Sequence, residues 1–286
     1  MIHRVRCVAR CDHDGPAESA AAVLRLRPGA SPHQRVRACT LRVEPRAAVV
    51  REGTDHFGNP VAWLLSDPSH AGFEAMSEAV VEVSAPAVPD PFATPAWEAV
   101  ARAGSLAHEA AEFAFGSPLA PVGETAQAYA AASFPPGFPV LAGLLDLLGR
   151  IGREVRLRPG GAEAPAGVDD TLRLRAGDAR EVSHLMIAGV RGLGLPARHV
   201  SGCAGARGAG RLHAWAECWL GPRHGWLGLD PSHDRVAADE HVVFARGRDA
   251  ADVDPARVAV PGGGARAIGV DVHVEACAGA GDRGGT

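Results

Sequence analysis

Gly177-Asp178-Ala179-Arg180-Glu181, then His213-Ala214-Trp215-Ala216-Glu217, then Gly228-Leu229-Asp230-Pro231 punctuate the stretch from Arg175 to Pro231. Its reading decides the fold. Asp178 is a good helix N-cap, and Glu181 three residues on can reach back to the Asp178 backbone N–H, as in a capping box. Val182, Leu185, Met186, Gly189 and Leu193 recur at helical spacing, and Gly194 is a natural stop. Ala179 therefore falls in the first turn of a buried helix. A thiol at that position would feel the helix dipole and free backbone N–H groups, which favour a thiolate and can hold an oxyanion. Ala179 keeps those donors and has no nucleophile.

Leu212 to Leu220 alternates, with His213, Trp215, Glu217 and Trp219 on one face and Ala214, Ala216 and Cys218 on the other. Gly221-Pro222-Arg223-His224-Gly225 reads as a hairpin turn, and Trp226 to Leu229 returns antiparallel to deliver Asp230. An Asp beside an imidazole fixes its tautomer and steadies the imidazolium. Hairpin register decides whether Asp230 shares a face with His213, and a one-residue slip would separate them. Helix N-terminus, His and Asp together make the frame of a thiol–His–Asp acyl-transfer site, with Ala179 where the thiol would sit.

These residues resemble the bacterial transglutaminase-like family, a branch of the papain-like cysteine-protease and transglutaminase superfamily. Ser183 to Ala188 and Gly194 to Gly202 are similar to its nucleophile-bearing helix and following strand. His213-Ala214-Trp215-Ala216-Glu217 matches its catalytic-His strand and Asp230-Pro231 its catalytic Asp. The resemblance implies an α+β fold: an N-terminal β-rich domain followed by a transglutaminase/papain-like core, with the helix packed on an antiparallel sheet. It implies catalytic positions at Ala179 (for the family's Cys), His213 and Asp230, with Trp215 and Arg180 as substrate contacts. Arg180 and Glu181 stand where relatives often carry Gln and Asp. No cofactor and no metal are implied.

Composition narrows the classes. The chain has 286 residues, 47% of them apolar, enough for one large or two medium domains. All 29 of its Lys and Arg residues are arginine, a usage that fits a GC-rich bacterial coding sequence. A net charge of −4 gives no electrostatic case for nucleic acid or an anionic membrane. The opening residues Met1 to Cys7 lack the apolar core of a signal peptide, and no apolar run approaches a membrane span. The six cysteines, at 7, 11, 39, 203, 218 and 277, show neither a disulfide framework nor zinc spacing; Cys7, Cys11 and His13 do not fit a Cys₂His₂ site. A cytoplasmic setting is expected.

Residues 1–85 read as a β-rich domain, alternating at Val5, Cys7 and Ala9, at Leu41 and Val43, and at Val81 and Val83. Leu24 to Pro28 and Asp55 to Asn59 resemble the family's N-terminal domain, and Asp55, His56 and Asn59 read as turn chemistry. Residues 86–96 form a Pro-rich linker. The core is expected over 97–275, with helices from Trp97 to Phe115 and from Phe138 to Ile151. A loop at 158–167 and a half-buried strand carrying Ile268, Val270, Val272 and Val274 complete it. Residues 276–286 read as a tail.

No other side chain is well placed to replace the thiol. Ser183 lies about 6 Å further along the helix axis, and Cys218 points to the face opposite His213. His184 and the Asp169-Asp170 pair read as structural. The expected function is that of a transglutaminase-like cysteine acyl-transferase or protease-type protein acting on a peptide or amide-containing small molecule, inactive for want of its Cys. The alternative is a non-catalytic module that holds a peptide or acyl ligand. The sequence leaves the oligomeric state open.

Overall fold

The computed structural model describes residues 1–17, 19–46, 49–66, 70–159, 167–205, 207–210, 212–260 and 265–277. The chain opens with β1 (Ile2–Ala17), β2 (Ala20–Leu24), β3 (Gln34–Glu44), β4 (Val49–Thr54), β5 (Pro60–Ser66) and β6 (His70–Val83). Helices α1 (Trp97–Gly104), α2 (Glu124–Ala131) and α3 (Val140–Glu154) follow. Then come β7 (Arg156–Leu157), α4 (Val168–Leu174), β8 (Ala176–Gly177) and α5 (Ala179–Gly192). The remainder is β9 (Ala197–Ala204), β10 (Arg207–Gly210), β11 (His213–Trp219), β12 (Trp226–Asp230), β13 (Arg235–Val236), β14 (His241–Gly247), β15 (Ala256–Ala259) and β16 (Ala265–Cys277). The protein is α+β, a strand-rich N-terminal region followed by a transglutaminase-like core.

Two sheets share the N-terminal core. One runs β10-β16-β1-β6-β3 and the other β15-β2-β5-β4. The alternation read along β1 is borne out, since Val5, Cys7, Ala9 and Cys11 are buried against Leu24, Leu64, Val81 and Val272. The chain does not divide where expected, however. β15 pairs with β2, and β16 runs antiparallel along β1 from Ile2↔Cys277 to His13↔Ala265. The last strands, expected within a core ending at 275, thus close the N-terminal sheets, because β1 would otherwise present an unpaired edge. The expected tail at 276–286 begins inside β16, and its residues 278–286 lie outside the described ones.

A further sheet, β13-β12-β11-β9-β14, is antiparallel throughout. Helix α5 packs on it with α2, α3 and α4 around its outer side. Residues Glu181 to Arg191 are all buried, so α5 has no solvent face to keep polar. Helix α3 buries Val140, Leu144, Leu147, Leu148 and Ile151, the stripe expected of it. The helix expected from Trp97 to Phe115 ends at Gly104 instead. A Cβ at Gly104 would lie 2.5 Å from the Pro196 ring, Ser105 Oγ bonds back to the Arg102 carbonyl, and Leu106 is 84% exposed, so no apolar face continues. A short 3₁₀ turn at Ala111–Ala114 follows. Within the stretch expected as a loop, residues 160–166 lie outside the described ones; helix α4 then intervenes, with Asp169 and Asp170 exposed in its first turn.

Candidate active site

The start of α5 is built as its sequence dictates. Asp178 Oδ1 accepts the Glu181 N–H at 2.9 Å, and Glu181 Oε2 accepts the Asp178 N–H at 2.8 Å, closing the capping box. Arg158 donates to the same Glu181 oxygen at 3.0 Å. Ala179 is the first helical residue and is half-buried. Arg180 is partly exposed beside Asp178, at 3.4 Å.

Contacts along α5 define how it lies on the sheet. Near its C-terminal end Arg191 donates to the Ala197 carbonyl at 2.8 and 3.0 Å. About two turns earlier Ser183 Oγ lies 3.2 Å from His199 Nδ1, and the His184 ring stands 4.8 Å from that of His199. Continuing toward the helix N-terminus therefore leads along β9 toward Gly202, the register partner of His213.

Hairpin register resolves in favour of a shared face. Ala216↔Leu229 to Trp219↔Trp226 pair, so Asp230 falls one step beyond Leu229, and His213 Nε2 stands 2.8 Å from Asp230 Oδ2. The other ring nitrogen, Nδ1, is the one left to face a reacting group. Trp215 supports the imidazole from behind, with ring centroids 5.9 Å apart and planes 29° apart. It is buried, 1% exposed, and its surface that is not covered lines a cavity shared with Glu217 and Trp226. Its ring fits only because two neighbours lack side chains: a Cβ on Gly202 would lie 2.6 Å from it, and one on Gly228 3.3 Å.

Asp230 is fully buried and heavily partnered. Its Oδ1 accepts the Ser232 N–H at 3.1 Å and hydroxyl at 2.6 Å. His233 Nδ1 lies 2.9 Å and His241 Nε2 3.3 Å from Oδ2. Ala238 N–H donates to His241 Nδ1 at 3.1 Å, so the His241 proton sits on Nε2 and is donated to Asp230. Burial alone would raise the Asp230 pKa, but the hydrogen bonds from His213, His241 and Ser232 outweigh it and hold the carboxyl far below its ordinary range. Ser232, His233 and His241 were not picked out from the sequence as site residues. The first two directly follow Asp230-Pro231, which is the one local signal that pointed to them.

On the same face Glu217 is clamped by Arg198 at 2.7 Å and Arg246 at 2.9 Å, and Arg198 lies over the Trp226 ring at 4.1 Å. A cavity lined by Trp215, Glu217, Trp226, His241 and Arg246 borders this group. Cys203, Cys218 and Ser183 are sequestered. Burial pushes the Cys218 thiol up to about 12, and Cys203 is raised as well. Ser183 is buried against His199 rather than His213, and the Ala250 N–H donates to His184 Nε2 at 3.1 Å.

Residues 147–231 match the transglutaminase-like superfamily core, and residues 4–82 match the bacterial transglutaminase-like N-terminal region. Uncharacterised proteins of Mycobacterium tuberculosis (strain ATCC 25618 / H37Rv) and Mycobacterium bovis are each 33% identical over 247 residues, 81% of this chain and 79% of theirs. The crystal structure of a candidate cysteine protease from Cytophaga hutchinsonii shares the fold, with a TM-score of 0.73 over 97% of this chain and 92% of that one, at 20% identity. The chain belongs to the transglutaminase-like superfamily.

Proposed function

We propose that this protein is a thiol–His–Asp acyl-transfer scaffold for peptide or amide substrates whose nucleophile position is held by Ala179, so that it turns over no substrate through a thiol. One observation carries the reading. Ala179 opens α5 inside an intact capping box, while His213 and Asp230 keep a 2.8 Å hydrogen bond. In this reading Asp230 fixes the His213 tautomer, His213 Nδ1 faces the ligand, and the free N–H groups of the first helical turn hold a carbonyl oxygen. Arg180, partly exposed beside Ala179, is the side chain best placed to meet the ligand. The six unpaired cysteines favour a reducing compartment, and we assign the protein to the cytoplasm. No described helix is long and apolar enough to cross a membrane.

The same turn favours a second reading, a module that holds a peptide or acyl ligand without chemistry. Glu181 is matched to both Asp178 and Arg158, so the residues beside Ala179 form a settled arrangement rather than an active turn with one atom removed. The purified protein should be assayed on a glutamine-bearing peptide with an amine acceptor, and on peptide-bond and simple amide substrates. Losing a nucleophile removes roughly 10⁶-fold in kcat in a comparable triad, so turnover should be indistinguishable from background. Turnover that survives iodoacetamide yet disappears in His213→Ala would reveal a nucleophile other than a thiol and overturn the proposal.

A further inference from the structure

Three imidazoles converge on one carboxylate oxygen. His213 Nε2, His233 Nδ1 and His241 Nε2 lie 2.8, 2.9 and 3.3 Å from Asp230 Oδ2. A thiol-type site needs only one of them. The three are not equivalent. His241 is buried, and the Ala238 N–H occupies its Nδ1, so its Nε2 carries a proton and serves as a donor. His213 Nε2 and His233 Nδ1 donate to the Asp230 carboxylate, with Ser232 Oγ also 3.0 Å from His233 Nδ1, and a metal ion would take the place of the protons they donate. Their two nitrogens and the Asp230 oxygen all lie within 4.8 Å of one another.

We propose that His213, Asp230 and His233 form a binding site for a divalent transition-metal ion of the zinc class. Two imidazoles and one carboxylate are a borderline-soft donor set, the kind that suits zinc, nickel or cobalt rather than calcium or magnesium. Three protein ligands leave a fourth tetrahedral position for water or a ligand oxygen. Metal–ligand bonds of about 2.0–2.1 Å put tetrahedral ligands about 3.3 Å apart, so each ring must back off from Oδ2 by about half an ångström while the two ring nitrogens close toward one another. His233, 47% exposed on the turn after β12, is the side chain free to do so.

The carboxylate is already held for this role. Ser232 binds its other oxygen through N–H and O–H, and His241 donates to Oδ2 from behind, the outer-shell support that orients metal ligands. Arg235 lies 4.0 Å from Oδ2, and its charge is shared with Glu240 at 2.8 Å. The site shares His213 and Asp230 with the thiol-type reading and adds His233, which that reading does not use.

The test is isothermal titration of the chelator-treated protein with zinc chloride, and separately with cobalt chloride followed by visible absorption. One equivalent should bind. The cobalt spectrum should show ligand-field bands without a thiolate charge-transfer band, which excludes the cysteines. His233→Ala should weaken binding at least tenfold while leaving the thermal midpoint of the metal-free protein unchanged. His213→Ala should weaken it as much. Alkylation of the Ala179→Cys thiol in the chelator-treated protein reads the thiol-type frame without metal, so the two readings fail separately. Absence of stoichiometric binding, a thiolate band, or affinity indifferent to both His substitutions would each overturn the proposal.

Discussion

At Glu217 the decisive question is how much a buried charge depends on its partners. Burial would raise its pKa, yet Arg198 and Arg246 bring it down to about 2. The three charges are mutually compensated away from water, and removing the anion leaves two cations unpaired. Glu217→Ala should therefore destabilise the fold by roughly 3–5 kcal/mol. Arg10 and Glu74 form a geometrically similar pair at 2.8 Å, but both side chains are about half exposed. Glu74→Ala should then change stability by no more than about 1 kcal/mol. Urea midpoints for the two variants check this, and equal shifts would refute it. Glu217 was legible in the sequence only as a member of the His213 face. Its partners were not, because Arg198 and Arg246 lie 19 and 29 residues away along the chain and meet it only across the sheet.

Helix α5 was the most legible element: its cap, period and burial all follow from local sequence. What it rests on was not. Its own His184 leans on His199 of β9 with ring centroids 4.8 Å apart, where burial lowers His184 to about 4 and takes His199 well below its ordinary range. Asp249 opposes the shift of His184, and Arg180 and Arg191 reinforce it. Both rings stay neutral in the folded protein and take up protons near pH 6.5 when unfolded. Between about pH 6.5 and 4 the unfolded chain binds more protons, so stability must fall on acidification, by up to roughly 3 kcal/mol for His184 alone. Asp230 adds a loss of the same sign only below about pH 4. His184→Gln, which keeps an acceptor for the Ala250 N–H, should flatten the pH dependence of the urea midpoint between pH 7 and 5. An unchanged slope would show that another group is responsible.

Across the whole molecule, the two sheet systems are tied by buried amides. Gln34 donates to the Val243 carbonyl at 2.7 Å and accepts its N–H at 2.8 Å. Asn59 does the same with Arg246, at 2.7 Å each way, while Asp55 accepts the Phe57 and Asn59 N–H groups. The turn chemistry read at Asp55 to Asn59 is there, but the link to β14 is not a local property and left no trace in periodicity. The same holds for β16, whose alternation announced a half-buried strand without revealing that it pairs with β1, some 260 residues earlier. The ties predict a single calorimetric transition with matching van't Hoff enthalpy. Truncation before residue 265 should abolish soluble folded protein, by uncovering the β1 edge and the contacts of Val272 and Val274. Two resolved transitions, or a stable truncated chain, would contradict that picture.

The account turns on Ala179 occupying the nucleophile position of an otherwise retained frame, and one measurement addresses this directly. Ala179→Cys should create a thiol of depressed pKa, assisted by the α5 N-terminus and by His213. Its rate of alkylation by iodoacetamide at neutral pH should exceed that of a model thiol and of the buried Cys203 and Cys218. The rate should fall in part, not wholly, when His213→Ala is added, since the helix contribution persists. A new thiol that reacts no faster than a model thiol, or whose rate ignores His213, would contradict the account.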